Sequence, residues 1–244
     1  MIDLLRSLPR LAAAAIAVVA ALSHAQSAPL NDTGQTSCYD ASDVAVACDA
    51  ATAGNTGTRP HQDGRYGRDA AAAAGALSKV GGGAAGFDFS CVLWNGTVIN
   101  GPNCHVGLLA NTSGTPSATP STDWACTKDN VTGRVWSLQS QGPMTWTTAN
   151  SSNLGDNSNA RCGAITAGNA WRLPTTRELL SIVHNGRLAA PVIDAGHFPS
   201  TVADYYWTSE AVNGEVWTVD FHWGFIGSAA ITSTSYVRLV RRAL

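Results

Sequence analysis

The chain has 244 residues, enough for one substantial core or for one domain with an appendage. Only 13% of its residues are charged, it contains two lysines, and its net charge is −2. This balance argues against nucleic acid as a partner and predicts a surface kept soluble by neutral polar side chains.

The first 25 residues have the pattern of an export signal. Two arginines precede a twelve-residue apolar run at 11–22, and Ser23 and Ala25 then supply small residues of the kind signal peptidase selects. The run is shorter than the roughly 20 apolar residues of a spanning helix. We therefore expect a signal peptide at 1–25, no membrane span after its removal, and a periplasmic or extracellular protein.

Six cysteines remain after the predicted cleavage. An even number of cysteines in an exported chain favours disulfides, although sequence alone cannot fix the pairing. Nearest neighbours would each close a local loop, which predicts Cys38–Cys48, Cys91–Cys104 and Cys126–Cys162. Buried free thiols are the alternative. No CxxC motif occurs, so neither a redox motif nor a zinc site is supported.

The tryptophans divide the chain. All eight lie between Trp94 and Trp223, whereas the preceding part is rich in Ala, Gly, Thr and Asp. This distribution predicts an N-terminal extension at 26–90, a cysteine-containing connecting segment at 91–123 and the main domain at 124–244. Within the extension, an alanine-rich helix is expected over 69–79 with Asp69 as its N-cap.

The stretch WRLPTTRELL (171–180) carries the clearest structural signals. Trp171 and Leu173 alternate with Arg172 in an extended segment, and Pro174 ends it. Thr175 and Glu178 then form the T-x-x-E capping box of a helix expected over 176–184. Arg172 suits either an anionic ligand or a structural ion pair or carbonyl clamp, and its position beside the capped helix favours the structural role.

The remaining elements are short. Strands are expected at 133–138, 205–210, 215–221 and 236–241, and a short helix at 144–152. Without regular βα alternation, these elements predict an α+β fold. Along 215–221, Trp217, Val219 and Phe221 are expected on one face, and Thr218, Asp220 and His222 on the outward face.

Four motifs in this order resemble the Lcl C-terminal domain family: DNVTGRVW (129–136), WRLPTTRELL, the YWTSE–VWTVDF pair and the closing YVRLVR. The resemblance is strong over 124–242 and looser over 31–90, where DTGQTSCYD, YGRD and GGGAAGFDF resemble segments that precede such domains. It implies a C-type-lectin-like fold, shared with formylglycine-generating enzymes, with short twisted antiparallel strands and two helices. Members are exported bacterial proteins, some of them taken to be adhesins that bind polysaccharide.

The chain departs from those relatives in its chemistry. The EPN, QPD and WND triplets of calcium-dependent lectins are absent, and no cysteine follows Cys162. No GxSxG motif occurs either. We therefore expect neither an enzyme nor a cofactor. Asp156, Asn157 and Asn159 crowd one loop but lack the spacing of a calcium loop, so no metal is expected.

The candidate ligand-binding residues follow the strand at 215–221. A solvent-facing Trp223 beside Asp220 and His222 would offer a stacking surface and hydrogen-bonding groups for a sugar; alternatively, Trp223 packs under a turn at Gly224. The ligand-binding candidates are Glu210, Asn213, Glu215, Thr218, Asp220, His222 and Trp223. The structural candidates are Trp171, Arg172, Thr175, Glu178, Trp207, Trp217 and Arg238.

These patterns favour an exported, non-catalytic recognition protein that binds a glycan or a surface partner through the 210–235 face. The alternative is an assembly module of a bacterial surface or extracellular complex, in which the same face packs against another subunit or a second copy. An enzyme related to formylglycine-generating oxidases is the weakest candidate, because the cysteine pair of those enzymes is missing.

Overall fold

The computed structural model describes residues 31–40, 42, 44–48, 62–151, 160–166 and 168–242. The signal peptide predicted at 1–25 and the loop residues Asp156, Asn157 and Asn159 lie outside these ranges. Within them, no helix combines the length and hydrophobicity that crossing a membrane requires.

The N-terminal segment forms a small sheet and one helix. β1 (Cys38–Tyr39) pairs antiparallel with β2 (Ala45–Val46), and α1 spans Gly67–Ala73. The helix predicted at 69–79 is therefore shorter and begins earlier. Its expected N-cap is wrong: Asp69 lies in the first turn of α1, fully buried, and accepts a hydrogen bond from the Gly86 amide at 2.8 Å. This contact with a distant backbone group replaces a local cap.

One sheet joins the segment before residue 124 to the rest of the chain. Its strand order is β13-β7-β6-β3-β4, with β5 paired to β6. The strands are β3 (Phe89–Leu93), β4 (Val98–Ile99), β5 (Leu109–Ala110), β6 (Asp123–Asp129), β7 (Arg134–Ser137) and β13 (Val240–Arg242). Residues 91–123, expected to be a connecting segment, contribute β4, β5, part of β3 and the first residue of β6 to this sheet.

A second sheet carries the late strands. Its order is β11-β10-β9-β12-β8. The strands are β8 (Gln141–Thr145), β9 (Tyr205–Val212), β10 (Glu215–Asp220), β11 (Ile226–Ala230) and β12 (Thr234–Val237). The single closing strand expected at 236–241 is wrong, because the chain leaves β12 after Val237 and enters the other sheet as β13. Arg238 and Leu239 make this passage between the sheets.

Two short helices complete the described structure: α2 (Trp146–Ala149) and α3 (Thr176–Leu180). The capping box of α3 is confirmed, since Thr175 Oγ1 accepts from the Glu178 amide and the Glu178 carboxylate accepts from the Thr175 amide. The structural ion pair is confirmed too: Arg172 donates to the two Glu178 carboxylate oxygens at 2.7 and 2.8 Å. Both helices are shorter than expected.

The hydrophobic core consists of clusters packed among the sheets and α3, and three disulfides cross-link the chain. One apolar cluster packs α3 against the second sheet through Leu179, Val183 and Val219, while another surrounds Trp171 and Trp207. All three predicted disulfides, Cys38–Cys48, Cys91–Cys104 and Cys126–Cys162, are confirmed. Mostly strands with a few short helices, the described structure is compatible with the α+β class.

Candidate functional site

Strand β10, the centre of the predicted site, is buried on both faces along its second half. Thr218 and Asp220 are 1% and 2% exposed, so the expectation that they face solvent is wrong. Val219, on the opposite face, packs against α3. Trp217, by contrast, is 42% exposed, so its expected place in the core is also wrong.

Trp217 lies in a hollow of about 370 Å³ beside the β9–β10 turn, which we call the hairpin hollow. It is lined by Val212, Asn213, Glu215, Val216, Trp217 and Ser228. Asn213 and Gly214 both have positive φ angles, as a two-residue hairpin turn requires, and asparagine and glycine tolerate them best. The Ser228 hydroxyl donates to the Glu215 carboxylate at 2.7 Å, which holds that carboxylate at the rim.

Trp223 lies in a different hollow, beyond the end of β10. Its side chain is 71% exposed, so it faces solvent as expected rather than packing under the turn. The ring lies against His222, with centroids 4.5 Å apart. Asp220 accepts the His222 amide at 2.7 Å and so shapes this turn from within, without reaching solvent. The hollow measures about 330 Å³ and is lined by Arg187, Leu188, Ala190, Val192, His222 and Trp223.

A larger cavity, about 820 Å³, separates the N-terminal segment from α3 and the second sheet. It is lined by Asn31, Asp32, Thr33, Asp63, Gly67, Arg68, Thr176, Arg177, Leu180, Ser181, Asn185, Glu210 and Ile226. Glu210, a predicted ligand-binding residue, is here and accepts the Thr176 amide at 2.8 Å. The other lining residues were not predicted, because the N-terminal aspartates are spread over nearly forty positions without any recognisable spacing.

The large cavity and the hairpin hollow adjoin along β11. Ile226 lines the cavity, and Ser228 lines the hollow. Ile226 and Ser228 are two residues apart on β11, so their side chains project from the same face of the sheet. Their partners on β10, Val219 and Trp217, share that face. The predicted residues are therefore distributed: Asn213 and Glu215 lie in the hairpin hollow, Glu210 in the cavity, and His222 and Trp223 in a third place.

A buried acid–histidine pair lies apart from these hollows. His197 Nδ1 is 3.3 Å from Asp194 Oδ1, and the His105 and His197 rings are 5.3 Å apart. Burial raises the pKa of Asp194, but contacts with His197 and with backbone amides lower it by more. The net pKa is therefore well below its ordinary value. Cys91 and Cys104 are joined in a disulfide, so neither can act as a thiolate beside these histidines.

The described chain is thus a disulfide-linked protein with two large, mainly antiparallel sheets and the small β1–β2 sheet, and its late strands border open hollows. Residues 125–241 match the family model of the Lcl C-terminal domain, and this part of the chain belongs to that family. The matched range begins in β6 and ends in β13, so it contains the whole second sheet. No curated protein matches the chain at a significant level.

Proposed function

We propose that the protein is an exported, non-catalytic recognition protein that binds a glycan in the hairpin hollow. The observation that carries this proposal is the half-exposed Trp217 in a hollow flanked by an amide and a carboxylate. A flat indole is a surface on which the apolar face of a sugar can stack, and the polar groups beside Trp217 could bind the sugar's hydroxyls.

The polar rim completes the recognition chemistry. Asn213 offers both donors and an acceptor, while Glu215 and Ser228 offer acceptors and a hydroxyl. Such planar groups around an aromatic floor suit sugar hydroxyls. The few lysines and the net charge of −2 favour a neutral glycan over a polyanion.

The proposal includes the finer fold and the location of the protein. We take the Lcl C-terminal domain to be C-type-lectin-like, which is supported by the family match and by its short strands and short helices. Export is supported by the three disulfides, since these persist in oxidising compartments, and by the signal-like pattern of residues 1–25.

The decisive experiment compares two exposed tryptophans on a broad glycan array. Trp217→Ala should weaken binding roughly tenfold or more, because it removes the stacking floor. Trp223→Ala is the matched control, since it deletes an equally large and more exposed ring from another hollow. Both variants should keep the wild-type melting temperature.

Each other outcome has a clear meaning. Binding that falls only with Trp223→Ala would place the site at His222 and Trp223 and refute the hairpin hollow. An array on which the wild-type protein binds nothing would refute glycan recognition altogether.

The edge strand β11 favours assembly as a second candidate function. In the described part of the chain, β11 pairs only with β10, and its sequence, IGSAA, carries no charge. Exposed, uncharged sheet edges are templates for pairing with another strand. Ala230→Lys should then dissociate an oligomer seen by light scattering, whereas a monomeric protein that co-purifies with nothing would contradict this function.

A further inference from the structure

Three aspartates of the N-terminal segment converge at the wall of the large cavity. Carboxylate oxygens of Asp32, Asp63 and Asp69 all lie within 4.8 Å of one another. Oxygens that share a calcium ion at about 2.4 Å cannot be more than about 4.8 Å apart. The three carboxylates therefore fit the coordination shell of a single ion.

Separate parts of the chain hold these carboxylates in place. Asp69 is fixed in α1 by the Gly86 amide, and Asp63 accepts the Thr33 hydroxyl. Asp32 Oδ2 lies so close to Gly86 that a Cβ there would be 1.3 Å from it. Any residue larger than glycine at position 86 would displace the Asp32 carboxylate from this arrangement.

The neighbouring Asn31 has a buried amide without a partner. Asn31 is 5% exposed, and neither its Oδ1 nor its Nδ2 is hydrogen-bonded within the described residues. It lines the same cavity as Asp32 and Asp63. Asp32 Oδ2 is likewise buried without a donor. Unsatisfied buried polar atoms cost free energy, so the open oxygens of Asn31 and Asp32 in the lining of one cavity point to a cation as their ligand.

Two basic side chains of this region are hydrogen-bonded to backbone carbonyls. Arg68 donates to the Gly86 carbonyl and lies 4.0 Å from Asp88, while Lys79 donates to the carbonyls of Gly83 and Ala85.

We propose that this cluster is a calcium site, with Asp32, Asp63 and Asp69 as carboxylate ligands and Asn31 Oδ1 as an amide ligand. The donors are all oxygen, which selects a hard cation over zinc or copper. Calcium accepts several carboxylates in irregular geometry, whereas magnesium demands a near-ideal octahedron and retains its waters. The bound ion ties the chain before β1 to α1 and so fixes one wall of the large cavity.

The test uses the mature, disulfide-intact chain, stripped with EDTA and titrated with calcium chloride. Calorimetry should give one ion per chain. A hundredfold excess over the dissociation constant should raise the melting temperature by roughly 5 °C. Asp32→Asn should abolish both signals. Asp204→Asn should keep both, because it removes the same charge from an exposed side chain that accepts the amide of its neighbour Tyr205.

Asp63→Asn provides a second variant at a partly exposed position, should Asp32→Asn fail to fold. It should weaken calcium binding at least tenfold while retaining the near-UV circular dichroism of the wild-type protein. The proposal is overturned if millimolar calcium neither binds nor stabilises the wild-type chain. It is equally overturned if folded Asp32→Asn or Asp63→Asn binds as tightly as wild type, or if magnesium stabilises as strongly as calcium.

Discussion

At the scale of single residues, Arg238 stabilises the fold through hydrogen bonds from its buried guanidinium. It is fully buried at the passage from β12 to β13. Its guanidinium donates to the carbonyls of Ser137 and Leu138 and to the hydroxyls of Ser140 and Thr201. One side chain therefore satisfies four acceptors, at the point where the chain crosses from one sheet to the other.

Arg238→Met should destabilise the protein by about 3–5 kcal/mol, because it leaves buried carbonyls without donors while keeping much of the side-chain volume. Urea unfolding measures this change. Arg242→Met is the control, since Arg242 is exposed and its replacement should change the free energy of unfolding by about 0.5 kcal/mol or less. Equal effects of the two substitutions would show that the carbonyl contacts do not stabilise the fold.

Single positions also show the limit of prediction from sequence. Alternation correctly indicated that Trp217 and Val219 share a face of β10. It could not show which parts of the face are covered, because α3, more than thirty residues away in the sequence, covers Val219 and leaves Trp217 open. The same limit misplaced Thr218 and Asp220. The face on which a side chain lies could be predicted from the local sequence. Its burial by a distant element such as α3 could not.

At the scale of elements, α3 is anchored through Glu178. The carboxylate accepts from Arg172, from Arg134 Nε at 2.9 Å and from the Thr175 amide. Burial raises the pKa of Glu178, but these contacts lower it by more, so the net pKa is below the ordinary 4.5. A depressed folded-state pKa stabilises the protein above the unfolded value, and that stabilisation disappears as the pH falls through the folded value.

Glu178→Gln should therefore destabilise the protein by about 1–2 kcal/mol at neutral pH, because it loses the ion pair and weakens the capping box. The difference from wild type should shrink as the pH falls below 4.5, where the unfolded chain takes up the proton, and should vanish once the carboxyl of the folded protein is neutral as well. Urea unfolding at several pH values measures it. A difference that stays constant down to pH 3 would contradict an electrostatic origin.

The elements were predicted better at their beginnings than at their ends. The capping box specified the start of α3, because Thr175 and Glu178 bond locally. The apolar spacing continued through Ile182 and Val183, which suggested a helix up to residue 184. After Leu180 the chain instead turns, and the His184 amide donates to the Val192 carbonyl at 2.8 Å. A contact eight residues away ends the regular structure.

At the scale of the whole molecule, the range that matches the family model contains only part of the sheet β13-β7-β6-β3-β4. The match begins at residue 125, yet β6 pairs with β3 on one side and β7 on the other. Without β3, the buried strand β6 would present an open edge. The domain boundary predicted from the sequence is at 124, although β3 and β5, which precede it, pair with β6 in one sheet.

The disulfides should differ in how much they stabilise the folded protein. Cys126–Cys162 links positions 36 apart and joins β6 to the loop before Trp171, whereas Cys38–Cys48 links positions only 10 apart. Loop-closure entropy alone assigns about 4 kcal/mol to the longer link and about 3 kcal/mol to the shorter one.

Replacing Cys126 and Cys162 together by alanine should therefore cost more stability in urea than replacing Cys38 and Cys48. The difference should exceed the entropic one, because Cys126 and Cys162 also pack inside the cluster around Trp171 and Trp207. An equal or larger loss for the Cys38–Cys48 pair would mean that the N-terminal segment, rather than the two-sheet core, limits the stability of the molecule.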